Sequence, residues 1–210
     1  MTIDDAPGLW RVQLGLECKA FDGGSRLAPV PCTDPDPLPT GYAVRYHNGS
    51  TELAFAAAAP AWFVDRIGRH STDELIDQPE ALAKQLQTDG HTIDLSHFHT
   101  YRFDGTAAVE QQAIIRDGPE AYSIVMDGQP VAAASSSRSN DSAAELWIET
   151  DPAHRRHGYA AVLAQAWATD VQQNAKIAFY SHLHENAASA ALARHLGVLP
   201  LFEIIAIDLK

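Results

Sequence analysis

The segment from Glu145 to Gly158 combines acidic and basic side chains in a spacing that can carry chemistry. Glu145 and Glu149 are candidates to remove a proton from a substrate. Residues 154–157, His-Arg-Arg-His, form a basic stretch directly before Gly158. Free N–H groups at a helix start, a glycine that permits close approach and two arginines are typical of an anion site. We therefore predict that this segment binds a phosphate; the alternative for Arg155 and Arg156 is salt bridges on the surface.

A strand and a helix must position these residues. Apolar and polar residues alternate over residues 143–150, which is the period of a strand. Asp151-Pro152 ends the strand because proline cannot donate to the ladder. After Gly158 the apolar residues take the spacing of one helix face, and the helix is expected to run to about Asn174.

Residues 155–160, Arg-Arg-His-Gly-Tyr-Ala, resemble the Arg/Gln-x-x-Gly-x-Gly/Ala signature of GNAT-type N-acetyltransferases, which holds the pyrophosphate of acetyl-coenzyme A. A second segment, from Asn186-Ala-Ala-Ser189 to Leu196-Gly197, resembles the next helix of that family. The resemblance covers roughly residues 120–205. It implies acetyl-coenzyme A as a co-substrate.

The resemblance also implies which residues contact the cofactor. Backbone groups of Ile148 and Thr150 would pair with the pantetheine arm, and Asn186 and Ser189 would lie beside it. Asn186 is equally expected to cap a helix, and Ser189 is alternatively a small residue at a helix contact. The candidate cofactor-binding residues are Ile148, Thr150, Arg155, Arg156, His157, Gly158, Tyr159, Ala160, Asn186 and Ser189.

Acetyl transfer to an amine requires a base, because only the neutral amine attacks a thioester. In the family, an acidic residue near the position of Glu145 often takes this proton through water. Glu149 lies nearer the basic loop, so we rank it first and Glu145 second; the alternative for both is a solvated strand face.

The usual general acid of the family, a tyrosine seven residues after the helix-capping asparagine, is replaced by Ala193. Tyr180, Ser181, His182 and His184 are substitutes, although each singly suits a core or surface role. We select Ser181 as the candidate catalytic residue of this group. A general acid is alternatively not needed, because a coenzyme A thiolate is a tolerable leaving group without protonation.

These residues predict an acetyl-coenzyme A-dependent N-acetyltransferase that acts on a primary amine of a small molecule or protein by direct attack in a ternary complex. A non-catalytic acyl-coenzyme A-binding or regulatory module of the same fold is the main alternative. A nucleotide-binding protein ranks last, because the chain has neither a Gly-x-x-x-x-Gly-Lys-Ser/Thr loop nor a Gly-x-Gly-x-x-Gly turn.

The formal net charge of −12 disfavours nucleic acid and anionic membranes as partners and is compatible with a cationic amine. A homodimer is also compatible with the sequence. There is no secretory signal and no apolar run of membrane-spanning length, so we expect a cytoplasmic protein. Cys18 and Cys32 are then expected to be free thiols.

The expected fold class is α/β: a GNAT acyl-coenzyme A acyltransferase fold with a mixed, mostly antiparallel central sheet, flanking helices and an N-terminal extension. Residues 1–105 are expected to form a variable N-terminal region, either the extension with the opening strand and helices or a separate small lobe. Residues 106–210 are expected to form the acetyl-coenzyme A-binding core. The family usually has one strand more than the strands predicted here, so either that final strand is missing or residues 198–210 bend into two short strands.

Local patterns predict several further elements. The N-terminal half is predicted to contain a strand or short helix at 9–16, a proline-rich loop at 28–40, a hairpin of 42–46 with 51–55, helices at 59–70 and 77–87, and a capping box at 71–74. Residues 106–116 suit helix or strand. The C-terminal half is predicted to contain a hairpin of 121–126 with 131–136, a polar loop at 135–141, a strand at 177–183, a helix at 186–197 and a strand at 202–209.

Three histidines, His91, His97 and His99, fall on a predicted strand at residues 91–101. A His-x-His pair on one strand face can bind zinc. No cysteine or acidic partner other than Asp94 lies nearby in sequence, so a half-exposed polar face without a metal is the favoured interpretation.

Overall fold

The structure, a computed structural model, describes residues 5–21, 24–30, 38–105 and 114–210. The chain divides into two compact units. The first consists of residues 1–100, 183–185 and 200–210, and the second of residues 101–182 and 186–199. The boundary near residue 100 is close to the expected division at residue 105, but the last eleven residues group with the first unit. The assignment of the two domains stays a prediction.

The helices and strands follow one another along the chain as expected for an α/β fold. The helices are α1 (Ala6–Leu14), α2 (Ala61–Ile67), α3 (Thr72–Asp77), α4 (Pro79–Thr88), α5 (Tyr159–Gln173) and α6 (Ala187–Leu196). The strands are β1 (Cys18–Phe21), β2 (Arg26–Pro29), β3 (Gly41–Tyr46), β4 (Thr51–Ala56), β5 (Ile93–Arg102), β6 (Ile114–Gly118), β7 (Ala121–Met126), β8 (Gln129–Ser139), β9 (Ala143–Thr150), β10 (Ile177–Leu183) and β11 (Leu199–Leu209).

The first unit contains a sheet with the strand order β1-β2-β4-β3-β11-β5. The predicted hairpin is confirmed, since β3 and β4 pair antiparallel around Asn48-Gly49. For residues 9–16, predicted as a strand or a short helix, the structure shows the helix α1. Its first turn contains a proline, which is tolerated at that position. The capping box is also confirmed: Ser71 Oγ accepts from the Glu74 N–H, and the Glu74 carboxylate accepts from the Ser71 N–H.

The strand predicted at residues 202–209 is confirmed as part of β11, a single strand of 11 residues. The alternative that residues 198–210 bend into two short strands is wrong. The pairing of β11 with β3 runs without a register shift from Phe202–Tyr46 to Ile207–Gly41. A nearly continuous apolar run keeps it in the core, where residues 204–207 are buried.

The second unit contains the strand order β10-β9-β8-β7-β6. β9 and β10 are parallel, and the remaining neighbours are antiparallel. Helix α5 covers one face of this sheet with Leu163, Trp167 and Val171, which pack in one cluster with Ala144 and Leu146. The packing of α5 therefore fixes the position of β9 against the core.

The polar loop predicted at residues 135–141 is also wrong, because β8 continues to Ser139. Its pairing with β9 shifts between Ser136 and Arg138, where Ser137 is an extra residue. The serines that suggest a loop are instead residues of β8. One of them also contacts helix α5, since Ser136 Oγ accepts a hydrogen bond from Trp167 Nε1 at 3.0 Å.

Several predictions fall on parts of the chain that the structure does not describe. Cys32, residues 31–37 of the predicted proline-rich loop and residues 106–113 of the ambiguous segment lie outside the described ranges. Residues 28–29, predicted as part of that loop, belong to β2 instead, and residues 114–116 of the ambiguous segment are strand. Cys18 is a free, buried cysteine, and burial raises the pKa of its thiol to about 12. Within the described ranges, no helix has the length and apolar character needed to cross a membrane.

A buried polar network connects β7, β8 and α5 in the second unit. The Glu120 carboxylate accepts hydrogen bonds from Ser136 Oγ at 2.6 Å and from Lys176 Nζ at 2.7 Å. The Glu120 N–H donates to Asp170, which also accepts from Arg116 at 2.8 Å. Burial opposes ionisation of Glu120, but the bonds from Lys176 and Ser136 outweigh it and lower the pKa of this carboxyl.

This network makes stability depend on pH with a definite sign. Because the folded-state pKa of Glu120 lies below its ordinary value of 4.5, its contribution is complete above that pH and is lost as the pH falls through the folded-state pKa. At pH 7, Glu120→Gln should lower the free energy of unfolding by about 1–3 kcal/mol, since Lys176 loses its charged partner.

Urea unfolding of wild type and variant from pH 7 to pH 3 measures the effect. We expect the difference between the two proteins to shrink below about pH 4.5. The exposed Glu80→Gln is the control and should stay within about 0.5 kcal/mol of wild type. A Glu120→Gln difference that is constant over this range would contradict the assigned role.

Candidate functional site

The parallel strands β9 and β10 pair over only a short stretch. Three residue pairs, from Ile177–Ala143 to Phe179–Glu145, form the register. Beyond them the two strands are not paired with each other, although β9 continues to Thr150 and β10 to Leu183. The carboxyl-terminal half of β9 therefore has one edge that is not paired to β10.

Two hydrogen bonds show which backbone groups of β9 face that edge. The Asp151 N–H donates to Val131 O of β8, so odd-numbered residues bond towards β8. The Ile177 N–H donates to Ser142 O, so even-numbered residues face β10. The backbone direction alternates along a regular strand. Ile148 and Thr150, the predicted pantetheine-binding residues, thus direct their backbone groups to the edge not paired with β10.

The basic loop connects this edge to helix α5. Asp151 caps a short 3-10 turn by accepting from the Ala153 N–H at 2.8 Å, and this bond lowers the pKa of the Asp151 carboxyl, with further help from His154. Arg155 Nε then donates to Thr150 O at 3.4 Å. This bond folds the loop back on the end of β9.

The loop leaves its cations at the surface. Arg155, Arg156 and His157 are all exposed. Arg156 takes a left-handed conformation, with φ of 67°. In the described part of the chain, Arg156 has no carboxylate within ion-pair distance. This arrangement is suited to an external anion.

Helix α5 begins directly after Gly158, as predicted. Gly158 has a φ of 81°, a region that side chains rarely adopt, and a Cβ there would meet no atom within 4 Å. The first helical bond runs from the Val162 N–H to Gly158 O. The N–H groups of Tyr159, Ala160 and Ala161 therefore precede the helical ladder and form the positive end of α5.

The two acidic candidates differ in environment. Glu145 is 8% exposed and forms an ion pair of 3.5 Å with Arg138. Glu149 is exposed and lies on the same face of β9 two pleats further towards the basic loop. The sequence reasoning missed Arg138, which lies opposite Glu145 in the β8–β9 register. The opposite charges of Arg138 and Glu145 on two adjacent strands would have been the signal.

Ser181 shares the face of the two glutamates. Phe179 and Glu145 are register partners, and side chains two residues apart on a strand point to one face. Tyr180 lies on the opposite, core side. Its hydroxyl donates to Ser189 O at 3.5 Å, and burial raises the pKa of its phenol. Tyr180 therefore has a core position.

Helix α6 begins and ends as predicted. Asn186 Oδ1 accepts from the Ser189 N–H at 3.0 Å, and Gly197 ends the helix with a φ of 63°. Ala193, at the position of the family's tyrosine, is 2% exposed and lies in the core cluster. Position 193 therefore belongs to the core and not to the exposed face of α6.

The histidines are arranged differently from the prediction. His91 does not join His97 and His99; its ring stacks on Trp62 at 4.0 Å. Asp94, the acidic residue nearest in sequence, lies 3.1 Å from Lys210 Nζ. His97 and His99 instead meet His184 and Glu203, which are distant in sequence.

The model of the GNAT acetyltransferase family matches residues 120–200. No curated protein matches the chain.

Three solved structures are among those similar to the chain. An acetyltransferase of the GNAT family from Colwellia psychrerythraea is 13% identical with a TM-score of 0.49, over 100% of this chain and 98% of its own. A GNAT-family protein from Novosphingobium aromaticivorans is 17% identical with a TM-score of 0.49, over 56% of this chain and 66% of its own. A GCN5-related N-acetyltransferase from Kribbella flavida is 25% identical with a TM-score of 0.37, over 61% of this chain and 63% of its own.

The residues matched by the family model include the divergent pair β9 and β10, the basic loop and both flanking helices. Residues 120–200 of the chain are therefore similar to the GNAT acetyltransferase family.

Proposed function

We propose that the protein is an acetyl-coenzyme A-dependent N-acetyltransferase. The observation that carries this proposal is the unpaired edge of β9 beside the start of α5, within the segment that matches the family. A thioester cofactor needs both features, because its arm is an extended amide chain and its diphosphate is an anion.

The cofactor would lie along β9 with its diphosphate at the basic loop. Backbone groups of Ile148 and Thr150 would bond to the amides of the pantetheine arm. Arg155, Arg156 and the N–H groups that begin α5 would hold the diphosphate. The Asn186 side chain already caps α6, so its contact with the arm would use the amide nitrogen.

The acceptor would be a primary amine, whose cation is attracted by a chain with net charge −12. Glu149 is the proposed base, because its exposed carboxylate can take a proton directly or through one water. The neutral amine then attacks the thioester carbonyl, and the carbon–sulfur bond breaks. Glu145 ranks second, since it is buried and already paired with Arg138.

The leaving thiolate needs a proton or a hydrogen bond. Ser181 is the proposed donor, since it lies on the face of the two glutamates while Tyr180 lies in the core. A strong proton donor is not required at this step, because a thiol has a pKa of only about 8.5 and its thiolate is a tolerable leaving group.

A second function, acyl-coenzyme A binding without transfer, is favoured by one observation. Ala193 stands where the family has its acid and is fully enclosed in the core. An assay for the free thiol of coenzyme A separates the two functions. With acetyl-coenzyme A and a panel of primary amines, we expect thiol release that depends on the amine. Binding of acetyl-coenzyme A without such release would support the second function.

Gly158→Asp tests where the diphosphate binds. A carboxylate at the start of α5 would repel the phosphates, so calorimetry should show acetyl-coenzyme A affinity falling by at least about tenfold. Gly90→Asp is the matched control, because Gly90 has a similar φ of 85° and equally open surroundings in the first unit. Equal affinity in a folded Gly158→Asp protein would contradict the site.

Glu149→Gln tests the base. The change keeps the side-chain shape and removes proton acceptance, so turnover should fall about a hundredfold while cofactor affinity is retained. Glu145→Gln should have a smaller effect, and the exposed Glu80→Gln should have none. If both Glu149→Gln and Glu145→Gln turn over at the wild-type rate from pH 6 to 9, neither carboxylate is the base.

A further inference from the structure

Four potential metal ligands meet in the first unit, whereas the residues proposed to bind coenzyme A belong to the second unit. His97 and His99 lie on β5, His184 follows β10 in the segment 183–185, and Glu203 lies on β11. One ligand atom from each lies within 4.8 Å of the other three. We call these four residues the histidine cluster.

The close distances in the histidine cluster come in two pairs. His97 Nε2 lies 2.7 Å from Glu203 Oε1, and His99 Nε2 lies 2.9 Å from His184 Nδ1. Ligand atoms about 2.0–2.1 Å from a tetrahedral zinc ion lie about 3.3 Å from one another. The observed distances, 2.7–4.8 Å, bracket that value. Small side-chain rotations would therefore bring all four atoms to one ion.

The backbone fixes three of the ligands. His97 and His99 share one face of β5 because side chains alternate along a strand. The His184 N–H donates to His97 O at 2.7 Å, which places the two rings in a stack of 4.3 Å. The positions of these imidazoles therefore follow from the main chain.

The fourth ligand, Glu203, is held in place by Arg45. Arg45 donates to Glu203 Oε2 at 2.7 Å and 3.3 Å, while Oε1 faces His97. Ligands fixed by such outer partners are characteristic of metal sites.

We propose that the first unit binds one structural zinc ion through His97, His99, His184 and Glu203. Three imidazoles and one carboxylate suit zinc, whereas calcium and magnesium prefer oxygen ligands. Four protein ligands leave no position for a substrate, which is the pattern of a structural site. This inference replaces the sequence-based expectation of no metal, because neither His184 nor Glu203 is near His97 in sequence.

Zinc binding is the direct test. Full-length protein is stripped with a chelator and titrated with zinc chloride against a chromophoric competitor. We expect one zinc per chain and a higher melting temperature when it is bound. Cobalt(II) in place of zinc should give the strong visible absorption of a four-coordinate site.

His184→Ala and His99→Ala should each weaken zinc binding by at least about tenfold and abolish the rise in melting temperature. His184 is exposed, so its variant is expected to fold. His91→Ala is the control and should bind zinc as wild type does, because His91 stacks on Trp62. Gly158→Asp should also bind zinc normally, which separates this site from the proposed catalytic function.

The proposal is overturned by a stoichiometry well below one zinc per chain. It is equally overturned if His184→Ala and His99→Ala bind zinc like wild type, or if His91→Ala loses as much affinity as they do. In those cases the cluster is a hydrogen-bonded network of three imidazoles and a carboxylate.

Discussion

The short parallel pairing between β9 and β10 is the constraint on which the second unit depends. A longer ladder would satisfy the backbone groups at the end of β9 internally. With only three register pairs, those groups are not bonded to β10. The pairing ends where both strands are still held by other contacts, with β9 bonded to β8 and Tyr180 of β10 in the core. The edge can therefore stay unpaired without the strands fraying.

The helix behind this edge sets its position. Trp167 packs in the core beneath β9, and its indole N–H is satisfied by Ser136. Ser136 in turn donates to the buried carboxylate of Glu120. The Trp167 indole, the Ser136 hydroxyl and the Glu120 carboxylate thus form one chain of hydrogen bonds that connects α5 to β8. Such connected polar groups favour a single arrangement of the core, because each loses a partner if another moves.

Local patterns predicted the parts of the fold that depend on neighbouring residues. The end of β9 at Asp151-Pro152, the cap at Asn186 and the capping box at Ser71 each follow from a few adjacent residues. The long β8 was missed because its serines are stabilised by pairing with β9 and by Trp167, which lie elsewhere in the sequence. The meeting of His97 with Glu203 was missed for the same reason, since it requires β5 and β11 to be neighbours.

The backbone of Arg156 has a consequence for how this loop can change over time. A side chain at a φ of 67° costs about 1–2 kcal/mol relative to glycine, which adopts that conformation freely. Glycine at this position would make the loop more stable and would remove a cation. Selection for folding therefore favours glycine, whereas selection for the proposed anion contact would favour arginine. Among descendants of this chain, the residue at position 156 would record which of the two pressures is stronger.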